Sequence, residues 1–381
     1  MDAGKLDIRP FSIDIPQQEI DYLKRRLADT RFPEAETVTD WNQGVPLSYA
    51  REFTDYWLNE YDWFSRQVNL NRYPQYLTKI DDLDIHFVHA TSPHPNARPL
   101  ILSHGWPSSF VEFLNIIEPL IDPPDPKDAF HVVCPSLPGY GFSAKPDTTG
   151  WGVQRTARAW DELMRRLGYD AYFAQGGDWG AGVTTAIAMQ NKGACKGIHL
   201  NVALANPPED IKENPDKADL RAFFAIKHYK EWGQGYMKQQ STRPQTLGYG
   251  LSDSPVGQAM WIIEKFHEWT DCDDQLESVL SKDQLLDNIM CYWLPGTSTS
   301  SARLYWENRG KALLGSGEAS ITIPMACSVF PKEILLAPRR WAETRYKNIV
   351  YWNEVEKGGH FAAFEQPSLF VEELRTAFGL M

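Results

Sequence analysis

Several features that would place the chain in another class of protein are missing from its 381 residues. No run of about 18 or more apolar residues occurs, so no membrane-spanning helix is predicted. The N-terminus lacks a basic segment followed by an apolar one, so no secretory signal is predicted. Basic residues are not in excess either. The net charge of −12 argues against partners such as nucleic acid or an anionic membrane.

Cysteine is scarce and scattered. An odd number of cysteines without CxxC spacing indicates reduced thiols and a cytoplasmic protein. The nine histidines do not cluster with cysteines or carboxylates at the spacing of metal ligands, so no metal site is predicted. The five cysteines are Cys134, Cys195, Cys272, Cys291 and Cys327.

The Gly-x-Ser-x-Gly elbow of serine hydrolases is also missing, which nearly excludes a serine esterase. Its place is taken by Gly-Gly-Asp-Trp-Gly at 176–180, between an apolar run at 171–174 and small residues at 181–188. This pattern predicts a strand, a tight turn and a helix, with Asp178 as the nucleophile. A carboxylate that attacks saturated carbon forms an alkyl ester, so Asp178 points to epoxides or alkyl halides. The alternative is that Asp178 only caps the helix.

What is present fits a large α/β protein. Hydrophobic residues make up 43% of the chain and charged residues 23%, which is typical of a globular protein. Amphipathic patterns predict helices over 13–31 and 49–68, which form an N-terminal helical arm (1–75) packed on a larger body.

From residue 76 onward, short buried strands alternate with helices, which predicts a doubly wound, mostly parallel sheet. A hairpin is predicted from 76–80 and 85–89. The core spans 76–206 and 311–381, and helical patterns at 207–310 predict a cap, an arrangement typical of the α/β-hydrolase fold. Further strands are predicted at 100–102, 131–134, 172–174, 197–200, 323–330 and 349–352. Further helices are predicted at 156–167, 220–236, 255–269, 276–293 and 367–377.

A carboxylate nucleophile needs a base, an acid that orients the base, and an oxyanion hole. His360, on a glycine loop beyond the last strand, is the only histidine after the cap and is the predicted base. Glu333, directly after the preceding predicted strand, is the predicted orienting acid. Glu209 or Asp210, after the strand ending near residue 201, is the alternative.

The oxyanion hole is predicted from backbone N–H groups. One belongs to Trp179, which follows the nucleophile, and the other to Trp106, in the loop after an early strand. Such a donor typically stabilises the transition state by about 3 kcal/mol. An epoxide also needs an acid that protonates the released alkoxide, a task suited to tyrosine. Composition does not select which of the 16 tyrosines serve.

Together these motifs resemble the microsomal-type epoxide hydrolases, within the α/β-hydrolase fold, over nearly the whole chain. The resemblance implies that Tyr236, in a Gly-Tyr segment, and Tyr305, shortly before a Glu-Asn pair, open the epoxide ring. It also supports Glu333, in a Phe-Pro-x-Glu motif. In lacking a predicted membrane anchor, the chain resembles the soluble microbial members of this family. The matching motifs lie at 40–41, 104–107, 135–143, 176–180, 235–236, 253–257, 264–266 and 358–365.

The expected reaction converts an epoxide and water to a vicinal diol through an alkyl ester on Asp178, without a cofactor. Tryptophans of the cap point to a bulky apolar or aryl epoxide, although core packing explains most of them equally well: Trp232, Trp261, Trp269, Trp293 and Trp306. A haloalkane dehalogenase with the same nucleophile and a non-catalytic α/β-hydrolase scaffold are the alternatives. The small-molecule substrate and water are the expected partners, and a homodimer is left open.

Overall fold

A computed structural model describes residues 7–309 and 320–381. Within these residues a single nine-stranded sheet forms the centre of the molecule. Its strands are β1 (Ile8–Phe11), β2 (Gln75–Ile80), β3 (Leu83–Ala90), β4 (Arg98–Ser103), β5 (Phe130–Pro135), β6 (Tyr172–Gly176), β7 (Cys195–Leu200), β8 (Met325–Val329) and β9 (Ile349–Glu354). Every strand predicted from the core pattern is therefore present.

The strand order is β1-β2-β3-β5-β4-β6-β7-β8-β9. The first four strands of this order pair antiparallel, and the six from β5 to β9 pair parallel. Because β4 and β6 are adjacent and parallel, their carboxyl ends meet at the same edge of the sheet. This mostly parallel sheet with helices on its faces is the α/β-hydrolase fold that the sequence predicts.

Helices cover the sheet and build the cap. They are α1 (Gln17–Ala28), α2 (Leu47–Asn59), α3 (Trp63–Leu70), α4 (Leu114–Ile121), α5 (Val153–Arg166), α6 (Asp178–Gln190), α7 (Lys217–His228), α8 (Gly235–Thr242), α9 (Pro244–Asp253), α10 (Pro255–Trp269), α11 (Lys282–Trp293), α12 (Ser298–Glu307), α13 (Arg339–Ala342), α14 (Ala362–Glu365) and α15 (Pro367–Gly379). Across the described part of the chain, no helix has the length and hydropathy that a membrane span needs.

The N-terminal segment differs from the helical arm that the sequence predicts. Its first element is a strand, β1, which joins the sheet beside β2. The helix predicted over 13–31 is shorter, because Pro16 is still extended with ψ 150° and α1 begins after it. The helix predicted over 49–68 is wrong as a single element. The carboxylate of Asp62 accepts the N–H of Phe64 and begins a second helix there.

Two predicted cap helices are also interrupted. A π-helical turn, Tyr229–Gly233, separates α7 from α8, where one helix over 220–236 is predicted. In the segment 276–293 a short 3₁₀ turn, Leu276–Ser278, precedes α11. The helix predicted over 255–269 is confirmed at both ends by α10. The predicted end of the cap at residue 310 lies outside the described residues.

The N-terminal segment is fastened to the cap by charged and phenolic side chains. The carboxylate of Asp287, buried on α11, accepts hydrogen bonds from Nε–H of Arg66 at 2.9 Å and from the hydroxyl of Tyr61 at 2.9 Å. Lys282, also on α11, pairs with Glu52 at 2.6 Å between Nζ and Oε1. Since a buried carboxylate without partners is strongly destabilising, Asp287 makes the position of α11 depend on the N-terminal segment.

Candidate active site

The turn between β6 and α6 places Asp178 above the carboxyl edge of the sheet. Asp178 has φ +47°, in the left-handed region that a side chain rarely adopts. A Cβ on Gly180 would lie 1.8 Å from the carbonyl oxygen of Ser103, so only glycine lets the helix approach β4 this closely. The N-cap of α6 is Gly177, without a side-chain cap bond. The alternative that Asp178 merely caps the helix is therefore wrong.

The loop after β4 reaches the carboxylate of Asp178. The backbone N–H of Trp106 donates to Oδ1 of Asp178 at 2.8 Å. A Cβ on Gly105 would lie 2.1 Å from the same oxygen, so glycine is required where the loop passes Asp178. Trp179 is in the first turn of α6, where backbone N–H groups have no partner within the helix. The Trp106 contact thus lies where the sequence places the oxyanion hole.

His360 lies between two carboxylates. Its Nδ1 is 2.8 Å from Oε1 of Glu333, and its Nε2 is 3.4 Å from Oδ2 of Asp178. Burial favours the neutral imidazole, but the carboxylates of Glu333 and Asp178 together raise the pKa of His360 well above its ordinary value. Oε1 of Glu333 also accepts the N–H of Ile334 at 2.8 Å, which fixes the carboxylate toward the ring.

The alternative acids do not occupy this position. Glu209 and Asp210 lie on a short 3₁₀ turn after β7 and are exposed. His360 instead directs its Nδ1 to Glu333.

Tyr236 on α8 and Tyr305 on α12 both lie beside the loop that carries Trp106. The ring of Tyr236 stacks on the ring of Trp106, with centroids 4.9 Å apart and planes 10° apart. Tyr305 meets Trp106 edge-on at 6.0 Å and Trp179 edge-on at 4.8 Å. Both tyrosines are buried, and burial raises the pKa of each well above its ordinary value. Each hydroxyl therefore keeps its proton at neutral pH and is able to donate it.

The cap tryptophans contribute unequally. Trp269 packs edge-on against His360 at 5.0 Å and against Tyr236 at 5.3 Å, and its carbonyl accepts the N–H of His360. Trp232 and Trp306 are instead exposed, at 77% and 43%. Trp232 nevertheless lines the groove described next, and the preference for a bulky apolar or aryl epoxide stays a prediction.

A groove of about 1010 Å³ lies between residues 30–47 of the N-terminal segment and the cap. Tyr236 and Lys265 line it from the cap. Lys265 is buried and pairs with Glu264 at 2.9 Å and with Glu268 at 2.8 Å between Nζ and a carboxylate oxygen. The N-terminal segment thus forms one wall of a cavity that reaches a predicted ring-opening residue.

Sequence reasoning assigned no role to Glu365, although the glycine-histidine motif ends on it. Its carboxylate accepts the N–H groups of Gly359 at 3.0 Å, Phe361 at 3.0 Å and Asp271 at 2.8 Å. These bonds hold both sides of His360 and tie the loop to the cap. Burial raises the pKa of Glu365 to about 7, against the opposing effect of these N–H donors.

Glu112 and Tyr229 were also missed. Glu112 is buried and accepts the hydroxyl of Ser108 at 2.6 Å, and burial raises its pKa to about 7. The hydroxyl of Tyr229 lies 3.0 Å from the hydroxyl of Tyr236. No sequence signal distinguishes these two residues from other buried glutamates or from other tyrosines, because only the tertiary fold brings them to the site.

The sheet order, the glycine-flanked elbow and the helical cap define an α/β-hydrolase whose elbow carries a carboxylate. Comparison with known families gives the same class. The family described as epoxide hydrolase N terminus matches residues 8–113, and the family described as alpha/beta hydrolase fold matches residues 98–247.

Individual relatives match nearly the whole chain. A protein of Stigmatella aurantiaca whose name assigns it to the epoxide hydrolases is 52% identical over 375 residues, which cover 97% of this chain and 84% of that protein. Epoxide hydrolase 1 of Sus scrofa is 37% identical, over 98% of this chain and 89% of that protein. The crystal structure of juvenile hormone epoxide hydrolase from Bombyx mori has a TM-score of 0.91 at 32% identity, with 98% and 94% of the two chains covered.

The chain belongs to the epoxide hydrolase family and is a hydrolase that acts on epoxides. The comparisons favour neither the haloalkane dehalogenase nor the non-catalytic scaffold.

Proposed function

We propose that this epoxide hydrolase converts an apolar or aryl epoxide to a vicinal diol, with Asp178 as the nucleophile. The observation that carries the proposal is the arrangement around Asp178. Its Oδ1 accepts the N–H of Trp106, and its Oδ2 faces Nε2 of His360. The two carboxylate oxygens are thereby differentiated, since one is held as a future ester carbonyl and the other is free to attack carbon.

In the first step Oδ2 of Asp178 attacks an epoxide carbon and the carbon–oxygen bond of the ring breaks. Tyr236 and Tyr305 hydrogen-bond the departing oxygen, and one of them gives it a proton. Their burial supports this role, because a phenol without competing water is a directed donor. The product of the step is an alkyl ester on Asp178.

Ester formation removes the negative charge of Asp178, which is one of the groups that raise the pKa of His360. The pKa of His360 is therefore expected to fall in the ester, so the imidazole becomes available as a base. His360, oriented by Glu333, then deprotonates a water that attacks the ester carbonyl. Charge develops on Oδ1, where the N–H groups of Trp106 and Trp179 stabilise it. The diol leaves and the carboxylate is restored.

A single turnover in H₂¹⁸O tests the scheme. Excess enzyme is mixed with styrene oxide, and the peptide that carries Asp178 is then analysed by mass spectrometry. We expect one heavy oxygen in the Asp178 carboxylate and an unlabelled diol from this first turnover. Label in the diol alone would mean that water attacks the epoxide directly. The absence of diol would contradict the proposed aryl substrate.

We also propose a cytoplasmic location. The proposal is supported by the five cysteines, which are all buried and free. Disulfides are rare where the thiol pool is reducing. Fractionation of the native cells, followed by detection of the chain in each fraction, tests it, and recovery in a membrane or secreted fraction would contradict it.

A further inference from the structure

A third tyrosine lies next to the pair that is proposed to open the ring. The hydroxyl oxygens of Tyr229 and Tyr236 are 3.0 Å apart, within hydrogen-bond distance. Tyr229 is half-buried, and Tyr236 is buried. Another contact of the Tyr229 hydroxyl is the sulfur of Met237, at 3.6 Å. Tyr229 is not among the site residues that the sequence predicts.

The local backbone explains how Tyr229 reaches this position. It opens the π-helical turn Tyr229–Gly233, which adds a residue to the turn before α8. A Cβ on Gly233 would lie 3.0 Å from Cδ2 of Tyr229, so glycine leaves room for the phenol ring. Single π turns often occur at functional sites, because they redirect a side chain at the expense of regular hydrogen bonding.

The direction of the hydrogen bond follows from the chemistry of Tyr236. Its hydroxyl has one hydrogen, which must point at the epoxide oxygen during ring opening. The oxygen of Tyr236 is then free to accept a bond but not to donate one to Tyr229. Burial raises the pKa of Tyr229, so its hydroxyl is protonated at neutral pH and is available as the donor.

We propose that Tyr229 is a positioning residue for Tyr236. Its hydroxyl donates to the oxygen of Tyr236, which directs the hydrogen of Tyr236 to the substrate. The same bond stabilises the negative charge that the Tyr236 oxygen gains as its proton leaves. The inference rests on the proposed function, since it needs Tyr236 as the acid that protonates the epoxide oxygen.

The protons balance over the cycle. Ring opening breaks the carbon–oxygen bond, forms the ester bond to Asp178, and moves the proton of Tyr236 to the alkoxide. Tyr236 is left as a phenolate that accepts a hydrogen bond from Tyr229. Ester hydrolysis uses both protons of the water: one leaves through His360 and returns to Tyr236 through solvent, and the other passes to the diol oxygen as its bond to the ester carbonyl carbon breaks. Epoxide and water are consumed and only the diol is produced.

The test compares Tyr229→Phe with the wild type in single turnovers. Alkylation of Asp178 and hydrolysis of the ester are followed separately by rapid quenching and intact mass. Loss of a hydrogen bond to a charged oxygen is expected to slow alkylation roughly tenfold to a hundredfold. The rate of ester hydrolysis should stay unchanged, because that step does not use Tyr236.

The dependence on the substrate separates acid assistance from packing. A series of para-substituted styrene oxides releases alkoxides of different basicity. In Tyr229→Phe the alkylation rate should depend more steeply on the substituent, since the more basic alkoxides need more help from the acid. Tyr172→Phe is the matched control. Tyr172 lies on the core strand β6, and its hydroxyl donates to Asp161 at 3.0 Å. Removal of this hydroxyl should leave both rates at the wild-type values.

Three results would overturn the inference. The first is an unchanged alkylation rate in Tyr229→Phe. The second is an alkylation rate that falls by the same factor for every substituted substrate. The third is an equal fall in the rates of alkylation and ester hydrolysis. Either of these two results would mean that Tyr229 only supports packing. A wild-type enzyme that forms no ester would instead contradict the nucleophile assignment, and this outcome is distinct because it requires no variant.

Discussion

The indole of Trp106 and the phenol of Tyr236 lie face to face, 4.9 Å between centroids. The backbone of Trp106 belongs to the core and donates its N–H to Asp178, whereas Tyr236 belongs to the cap. Trp106 therefore touches both the proposed nucleophile and one of the two tyrosines proposed to open the ring. The stacking fixes the position of Tyr236 relative to the loop that binds Asp178, so under the proposed mechanism it positions the proposed acid over the proposed nucleophile.

The two cap tyrosines should act on ring opening alone. Tyr236→Phe and Tyr305→Phe each keep the aromatic contacts with Trp106 and remove only a proton donor. Each is expected to slow alkylation, and the double variant should lose roughly 10²–10⁴-fold, the usual range for general acid catalysis. Rapid-quench measurement of ester formation checks this. Tyr249→Phe, which alters a cap tyrosine that is 73% exposed, is the control and should leave the rate unchanged.

His360→Gln should separate the two chemical steps. The base is lost while the contact of Trp106 with Asp178 remains, so alkylation proceeds and hydrolysis stops. Intact mass after mixing with styrene oxide should show the enzyme plus one substrate, with the added mass on the peptide that contains Asp178. Asp178→Asn should show no adduct and no diol. An adduct on Asp178→Asn would place the nucleophile elsewhere.

Glu333→Gln should change both the rate and the pH dependence of ester hydrolysis. The carboxylate of Glu333 raises the pKa of His360, so its removal lowers that pKa. Hydrolysis needs neutral His360 and falls as the pH drops below this pKa. The acid limb of the profile is therefore expected to move to lower pH in the variant, with a lower plateau because the base is weaker.

Single-turnover profiles of ester hydrolysis from pH 5 to 9 measure both effects for Glu333→Gln. Glu343→Gln removes an exposed carboxylate that pairs with Arg339 and should reproduce the wild-type profile. An acid limb in Glu333→Gln that stays where it is would show that Glu333 does not control the protonation of His360.

Glu112→Gln should change stability in a pH-dependent way. Burial raises the pKa of Glu112 to about 7, above its ordinary value of 4.5. Between these values the folded protein binds more protons than the unfolded chain, so the free energy of unfolding falls as the pH rises. The slope for one group is at most about 1.4 kcal/mol per pH unit. The glutamine of the variant cannot ionise, so the contribution of Glu112 to the slope should be lost. Glu365, whose pKa is also raised to about 7, should keep its own contribution.

Urea denaturation of both proteins between pH 5 and 8 gives the comparison for Glu112. We expect Glu112→Gln to gain stability relative to the wild type as the pH increases. The hydroxyl of Ser108 donates this hydrogen bond, and the amide oxygen of glutamine can also accept it. The fold and the packing are therefore expected to be preserved. Parallel slopes for the two proteins would contradict the raised pKa.

The short motifs of the core could be predicted because their function depends on local backbone. The elbow at 176–180 and the glycine loop of His360 combine a strand end with residues that only a tight turn accommodates. Each such pattern is complete within a few residues. Tyr236 and Tyr305 are different, since their positions depend on how α8 and α12 pack over the elbow. Only the resemblance to a family selected them.

The remaining differences arise where tertiary contacts override a regular pattern. The apolar spacing over 220–236 fits one helix, but the π turn at Tyr229–Gly233 redirects it and brings Tyr229 to Tyr236. The four residues of β1 are too few to show alternation, and they are held by pairing with β2. The raised pKa of Glu112 follows from its burial beside Ser108, which only the tertiary structure shows.

The attachment of α11 to the N-terminal segment has a practical consequence for engineering. Arg66 and Tyr61 both bind Asp287, and residues 30–47 form a wall of the groove that Tyr236 lines. The shape of the groove that reaches Tyr236 is thus determined partly by the opposite end of the polypeptide from His360. Libraries that seek altered enantiomer preference should therefore sample the first quarter of the gene as densely as the cap, and a truncated enzyme that begins at β2 would lose its selectivity along with its stability.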